Sequence, residues 1–387
     1  MTYAKTRLLV LLALVLAMPA GAQQPPQAQA PSDDAAVWYL TGMLMVEQQN
    51  PDLSIEDLED LLHKITQGEG TEDDLAKASK ALAHYNVALG YARRGAGLDR
   101  CTWPVDVKQD GPMALLPHLG QARRMARLLQ GSAALNIEQG DLADAETDLI
   151  TIMSLARHCA TDRLLISMLV QFSIESLATD VMAQHLHRFN HAQLRSLSEA
   201  RAGLPARVTL KQSIGSERAM AVWLQKTHRE QGLDHVNELF FQFIEGEHEQ
   251  TFKSDKQFEQ WLEELYKAYD ELQKIANLLP TKFFEMHKDF EQRVADSDNP
   301  LIRTLMPTIS AARVAELKAH ALFTMVDAMI AYRLGGRAAF DAATDPYDGK
   351  PFGFEVTDAG VVVSSRLVQS DQQVTLTFSG EIAEPLE

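Results

Sequence analysis

The sequence predicts an all-α fold, a multi-helix bundle or irregular α-α solenoid-like array with a small C-terminal β-hairpin. Three observations carry this. Apolar residues recur at spacings of three and four along most of the chain, capping residues stand ahead of several of these runs, and β-branched alternation is confined to the last forty or so residues. At 387 residues and 46% apolar, the chain is long and greasy enough to bury a substantial core.

The first residues, MTYAKTRLLVLLALVLAMPAGA, place Lys5 and Arg7 before an apolar run from Leu8 to Met18, followed by Ala20 and Ala22 on either side of Gly21. This pattern reads as a signal peptide over 1–22, cleaved after Ala22, and so as an exported protein, periplasmic or secreted. The run is short for a membrane span, though a retained anchor is the competing reading. Residues 23–34 (QQPPQAQAPSDD) hold almost nothing to bury and read as a disordered Pro/Gln/Ala linker.

The helical domain is expected over 35–340, with a sub-boundary near 203–207 where Pro205 interrupts the pattern. Ser54 with Asp57 caps an apolar stripe from Ile55 to Ile65, and Thr71 with Asp74 caps a second that runs to Leu89. From Arg94 to Pro117, Gly, Pro and Asp are too frequent for a regular element. A hairpin of two helices follows, His118 to Gln139 and Asp141 to His158, turning at Gly140 and similar to a tetratricopeptide unit. No clear second copy of that unit is found.

Leu164 to Met182 is apolar on nearly all sides. Gln171, Glu175 and Asp180 argue for a buried core helix over a membrane span, with Glu175 paired to an arginine at 123, 124 or 127. Asn190 starts a further helix, Ser254 with Gln257 another, and Phe258, Trp261, Leu265, Tyr269 and Leu272 form a stripe suited to a core or a peptide groove. Pro280, Pro300 and Pro307 punctuate what remains, and Gly335 and Gly336 are expected to end the last helix. Residues 341–387 then change to turn and β residues, with a hairpin turn near Asp358 to Gly360.

The formal charge is −17; removal of residues 1–22 takes away two bases and no acid, leaving −19. Such a surface disfavours nucleic acid and anionic lipid and favours basic partners. Cys101 and Cys159 are the only cysteines, and the exported context makes them a candidate disulfide. His185, His187 and His191 lack an acidic ligand, so surface histidines are expected there and no metal site. The acidic run Glu245, Glu247, His248, Glu249 is equally weak as a metal site. No glycine-rich nucleotide motif or nucleophile elbow is present, and no cofactor is expected. Asp345 and Asp348 lack calcium-loop spacing and read as turn residues.

One pair of blocks resembles a known group. C-T-W-P-V-D at Cys101–Asp106, Gly111–Pro112, L-L-P-H-L at Leu115–Leu119, R-x-x-A-R-L-L at Arg123–Leu129, Gly140–Asp141 and D-P-x-x-G-x-P at Asp345, Pro346, Gly349 and Pro351 resemble uncharacterised, signal-peptide-bearing α-helical proteins of bacteria. The resemblance implies an exported helical fold and no particular activity. The same turn is similar to those that close secretion pseudopilins, whose N-terminal helix has no counterpart in this sequence.

Two functions are compatible with these observations. One is a non-enzymatic binding or scaffold protein that holds a protein or peptide partner. The other is a hydrolase acting on envelope material, with a pocket in the loop bearing Trp103, Asp106 and His118, which unites an aromatic, an acid and an imidazole. The residues leave catalysis, ligand and oligomeric state open.

Overall fold

In the computed structural model, residues 32–47, 53–243, 252–306 and 309–380 are described. The expected signal peptide, most of the expected linker and the Glu245–Glu249 fragment lie outside them. Helix α1, Ala35–Val46, opens the fold, capped by Asp34, whose Oδ1 accepts the Ala36 amide at 3.0 Å. It carries no charged residue, and therefore none of the amphipathic contrast that reveals helices in a sequence. α2 (Ile55–Thr66) and α3 (Glu72–Ala83) begin at the expected caps Ser54 and Thr71. The second stripe does not continue to Leu89 as one helix. The chain breaks at His84–Tyr85, buries the Tyr85 ring, and restarts as α4, Asn86–Ala96.

After a one-turn α5 (Val107–Asp110) and a 3-10 turn over Gly111–Met113, α6 (Pro117–Gln139) and α7 (Leu142–Cys159) form the expected hairpin. Gly140, at φ 86°, takes the left-handed position that ends α6. α8 (Leu165–His185) runs through the middle, packed on α6 and α7. The span from Leu165 to Arg188 is long and apolar enough to cross a membrane, but 61% of its most apolar window is buried inside the protein, as in a core helix. α9 (His191–Ala202) follows the Asn190–Gln193 capping box.

Glu175 is buried, but not against the arginines of α6. Arg157 Nε donates to Glu175 Oε1 at 3.1 Å and Arg207 Nη2 lies 2.7 Å from Oε2. The two guanidinia supply the compensation that a buried carboxylate requires. Spacing along one helix does not identify such partners, because Arg207 reaches Glu175 from the segment after α9.

α10 (Leu210–Glu217), α11 (Ala219–Phe243), α12 (Asp255–Ala276), α13 (Pro280–Ala295) and α14 (Pro300–Leu305) enclose a second apolar cluster. The stripe on α12 belongs to it, with Phe258, Leu265, Tyr269 and Leu272 buried. α15 (Ile309–Asp341) starts in this cluster with Ile309 and Ala312 and ends in the first with Met325, Met329 and Phe340. α8 also contributes to both, so the two clusters share helices and the chain from Asp34 onward forms one compact unit. Gly336 breaks α15 at φ 73°, yet the helix resumes rather than stopping, which brings Phe340 into the core.

The C-terminal appendage is a three-stranded antiparallel meander, β1 (Gly353–Thr357), β2 (Gly360–Gln369) and β3 (Gln372–Ser379), in the order β1-β2-β3. The expected hairpin turn joins its first two strands. Val361, Val363, Ser365 and Leu367 face inward at period two. The D-P-x-x-G-x-P turn completes the edge of β2. Fully buried Asp345 accepts from the Tyr347 amide, the Ser365 hydroxyl and the Arg366 amide at 2.7–3.0 Å, and Gly349 turns at φ 73°.

Candidate functional site

The segment from Gly97 to Leu116 divides into two halves with different surroundings. In the first, Trp103 is 5% exposed and His118, on the first turn of α6, is 2% exposed. Their rings stack at 4.3 Å and 16°, and the Tyr39 ring lies near-parallel to Trp103 at 6.1 Å. Trp103 Nε1 donates to the His158 carbonyl at 2.7 Å, and Tyr39 Oη lies 2.9 Å from His158 Nδ1. Burial holds both His118 and His158 down to about 4, so both imidazoles are neutral near pH 7. Among the described residues, Nε2 of each has no hydrogen-bond partner.

Asp106 does not join them. It is exposed, and its Oδ1 accepts the amides of Lys108 and Gln109 at 3.1 and 3.2 Å, capping α5. The structure thus brings together Trp103 and His118 and leaves the acid outside. Cys101 and Cys159 also border this cluster, but as buried free thiols in place of the expected disulfide. Burial pushes both thiols well up, and disulfide exchange begins from a thiolate. A packed cluster of this kind excludes charge and water.

The H-x-H histidines also differ from expectation. His185 is 3% exposed, with Nδ1 3.7 Å from Glu138 Oε1, and His187 abuts the end of β3 so tightly that a Cβ on Gly380 would lie 2.7 Å from its ring. They are packing residues rather than surface ones. At the start of α8, Asp162 Oδ1 accepts the Leu164 amide at 2.9 Å and Glu217 Oε1 the Leu165 amide at 2.8 Å. Burial raises both carboxyls, and their role is to satisfy amides that a helix start leaves open. Among the described residues, no group of three or more His, Cys, Asp or Glu side chains is arranged to hold a metal ion.

The second half of the segment forms one wall of an open groove of about 350 Å³. Gln109, Asp110 and Met113 face Trp223, Lys226, Thr227, Glu230 and Gln231 of α11, which are spaced so as to share one helix face. Gly232 has φ 85°, a left-handed kink inside α11, and His235 and Leu239 beyond it extend the same wall. The two walls are fixed to each other. Trp223 Nε1 donates to the Gln109 carbonyl at 3.1 Å, and Gly111 sits so close on the indole that a Cβ there would lie 2.3 Å from the ring.

The residues singled out from the sequence, Trp103 and His118, lie in the buried half of this segment, and Asp106 lies outside their cluster. Trp223 and Gly232 were missed, because a tryptophan on a helix reads as core and an isolated glycine in a helical pattern as tolerated. Set against protein-family models, curated proteins and solved structures, the chain has no match.

Proposed function

We propose that this chain is an exported, non-enzymatic helical binding or scaffold protein, which holds a protein or peptide partner in the groove between residues 107–113 and α11. One observation carries the reading. The concave surface is lined by chemically mixed side chains of a helix and a short loop, most of them exposed, whereas the histidines displaced to about 4 are sealed in the core. Catalysis asks for the opposite, titratable groups with displaced pKa values converging on an open site. The hydrolase reading places its chemistry on Trp103, Asp106 and His118, of which the two rings are covered and the exposed acid is turned to capping α5. Export rests on the basic, apolar and small residues of positions 5–22 and on the resemblance to exported helical bacterial proteins.

The test is affinity capture by the mature chain, residues 23–387, from the envelope fraction of its host. The reading expects a stoichiometric partner that is lost on Trp223→Ala with Met113→Glu and retained on Lys288→Glu, a surface change on α13. A partner held equally by all three proteins, or none held by any, counts against it.

A further inference from the structure

Resting on the groove reading above, we infer that the occupant is a basic peptide segment, with a lysine or arginine head group between Asp110 and Glu230. Of the charged groups that line the groove, these two carboxylates outnumber the single ammonium of Lys226, and His235 is the remaining titratable group. Elsewhere arginine meets two of the buried carboxylates, Arg93 at 2.7 Å from Asp148 and Arg157 with Arg207 at Glu175. Among the described residues, neither Asp110 nor Glu230 has an ion pair. They are free to accept a cation from outside.

The apolar part of the groove suits the same ligand. Met113 is 47% exposed, Leu239 is half-buried, and both line the groove together with Trp223. The methylene stem of a lysine or arginine covers such a surface while its head remains at the polar rim, and an exposed methionine adapts to varied stems. The whole chain adds a long-range term. With a net charge of −17, and −19 once residues 1–22 are removed, it draws cationic segments toward itself and repels anionic ones. The walls are set in advance by Gly111 on Trp223, so little ordering is left for binding to impose on the protein.

The experiment titrates the mature chain into three fluorescein-labelled eight-residue peptides in low salt, with Leu alternating with Arg, with Gln or with Glu, and reads anisotropy. The expected result is that the Arg peptide binds about tenfold more tightly than the Gln peptide, as two exposed charge contacts permit. The Glu peptide binds weakest, and the order reverses in the double variant Asp110→Lys/Glu230→Lys, whose melting temperature is measured alongside. Equal binding of the Arg and Gln peptides by the parent chain overturns the charge assignment while leaving the groove standing. So does an Arg preference that persists in the reversed variant. Binding that Trp223→Ala does not weaken, or no binding of any peptide, overturns the groove reading and this inference together.

Discussion

Two halves of one irregular segment, seven residues apart at Trp103 and Asp110, do opposite things. Around Trp103, side chains that look chemical, two histidines, two cysteines and a tyrosine, are packed ring on ring with almost no exposure. Around Asp110 the side chains look ordinary, and they face solvent across a groove. The difference teaches that a displaced pKa reports burial first. His118 is held at about 4 because its ring is buried against a tryptophan, and among the described residues its Nε2 has no hydrogen-bond partner.

The largest expected effect falls on the buried half. Trp103→Ala removes a stacked ring and the donor to the His158 carbonyl, and should lower unfolding free energy in urea by about 3–5 kcal/mol. A loss below about 1 kcal/mol would mean that this half is not part of the core. The next effect is a dependence on pH. An imidazole ordinarily near 6.5 and held at about 4 in the fold binds fewer protons when folded, so its contribution to stability is lost as pH falls from 6.5 toward 4. His118→Phe keeps a ring on Trp103 and removes that term. Relative to the parent, the variant should gain up to about 3 kcal/mol across this window, and parallel curves would show that His118 charges freely. Buried carboxyls such as Asp180, raised by burial to about 6, act in the opposite direction but are common to both proteins and cancel.

Smaller effects belong to the exposed half. Gly111 has φ 57° and no room for a Cβ against Trp223, so Gly111→Ala should cost about 1–2 kcal/mol and quench or shift the fluorescence of Trp223 as the loop lifts. The smallest is for Glu230→Gln on the exposed face of α11, within about 0.5 kcal/mol of the parent by thermal melting. A large loss there would turn the groove into a structural contact and remove the contrast between the halves.

Much of the fold was legible in the sequence for reasons that these residues illustrate. Ser54, Thr71, Asn190 and Ser254 each cap a helix as written, because a capping bond is local and its partner lies three residues on. What was not legible is long-range. The partner of Glu175 comes from Arg157 and Arg207, and α1 has no polar face to give it a period. Of the three candidate site residues, the sequence placed two near each other and could not tell their surroundings. Trp103 and His118 do meet, but whether they meet in a pocket or a core depends on Tyr39 and His158, far away in the chain. The groove needs a glycine and a tryptophan more than a hundred residues apart to pack face to face, and nothing local announces that.

The most direct test places a photo-crosslinking amino acid at Met113, in the groove, and in a second protein at Met286 of α13, which is equally exposed at 51% against 47%. Both are expressed in the host and irradiated. A discrete adduct from position 113 and none from 286, abolished by Trp223→Ala, is the result expected if the groove holds the partner. Adducts of equal yield from both positions, or from 286 alone, would contradict it.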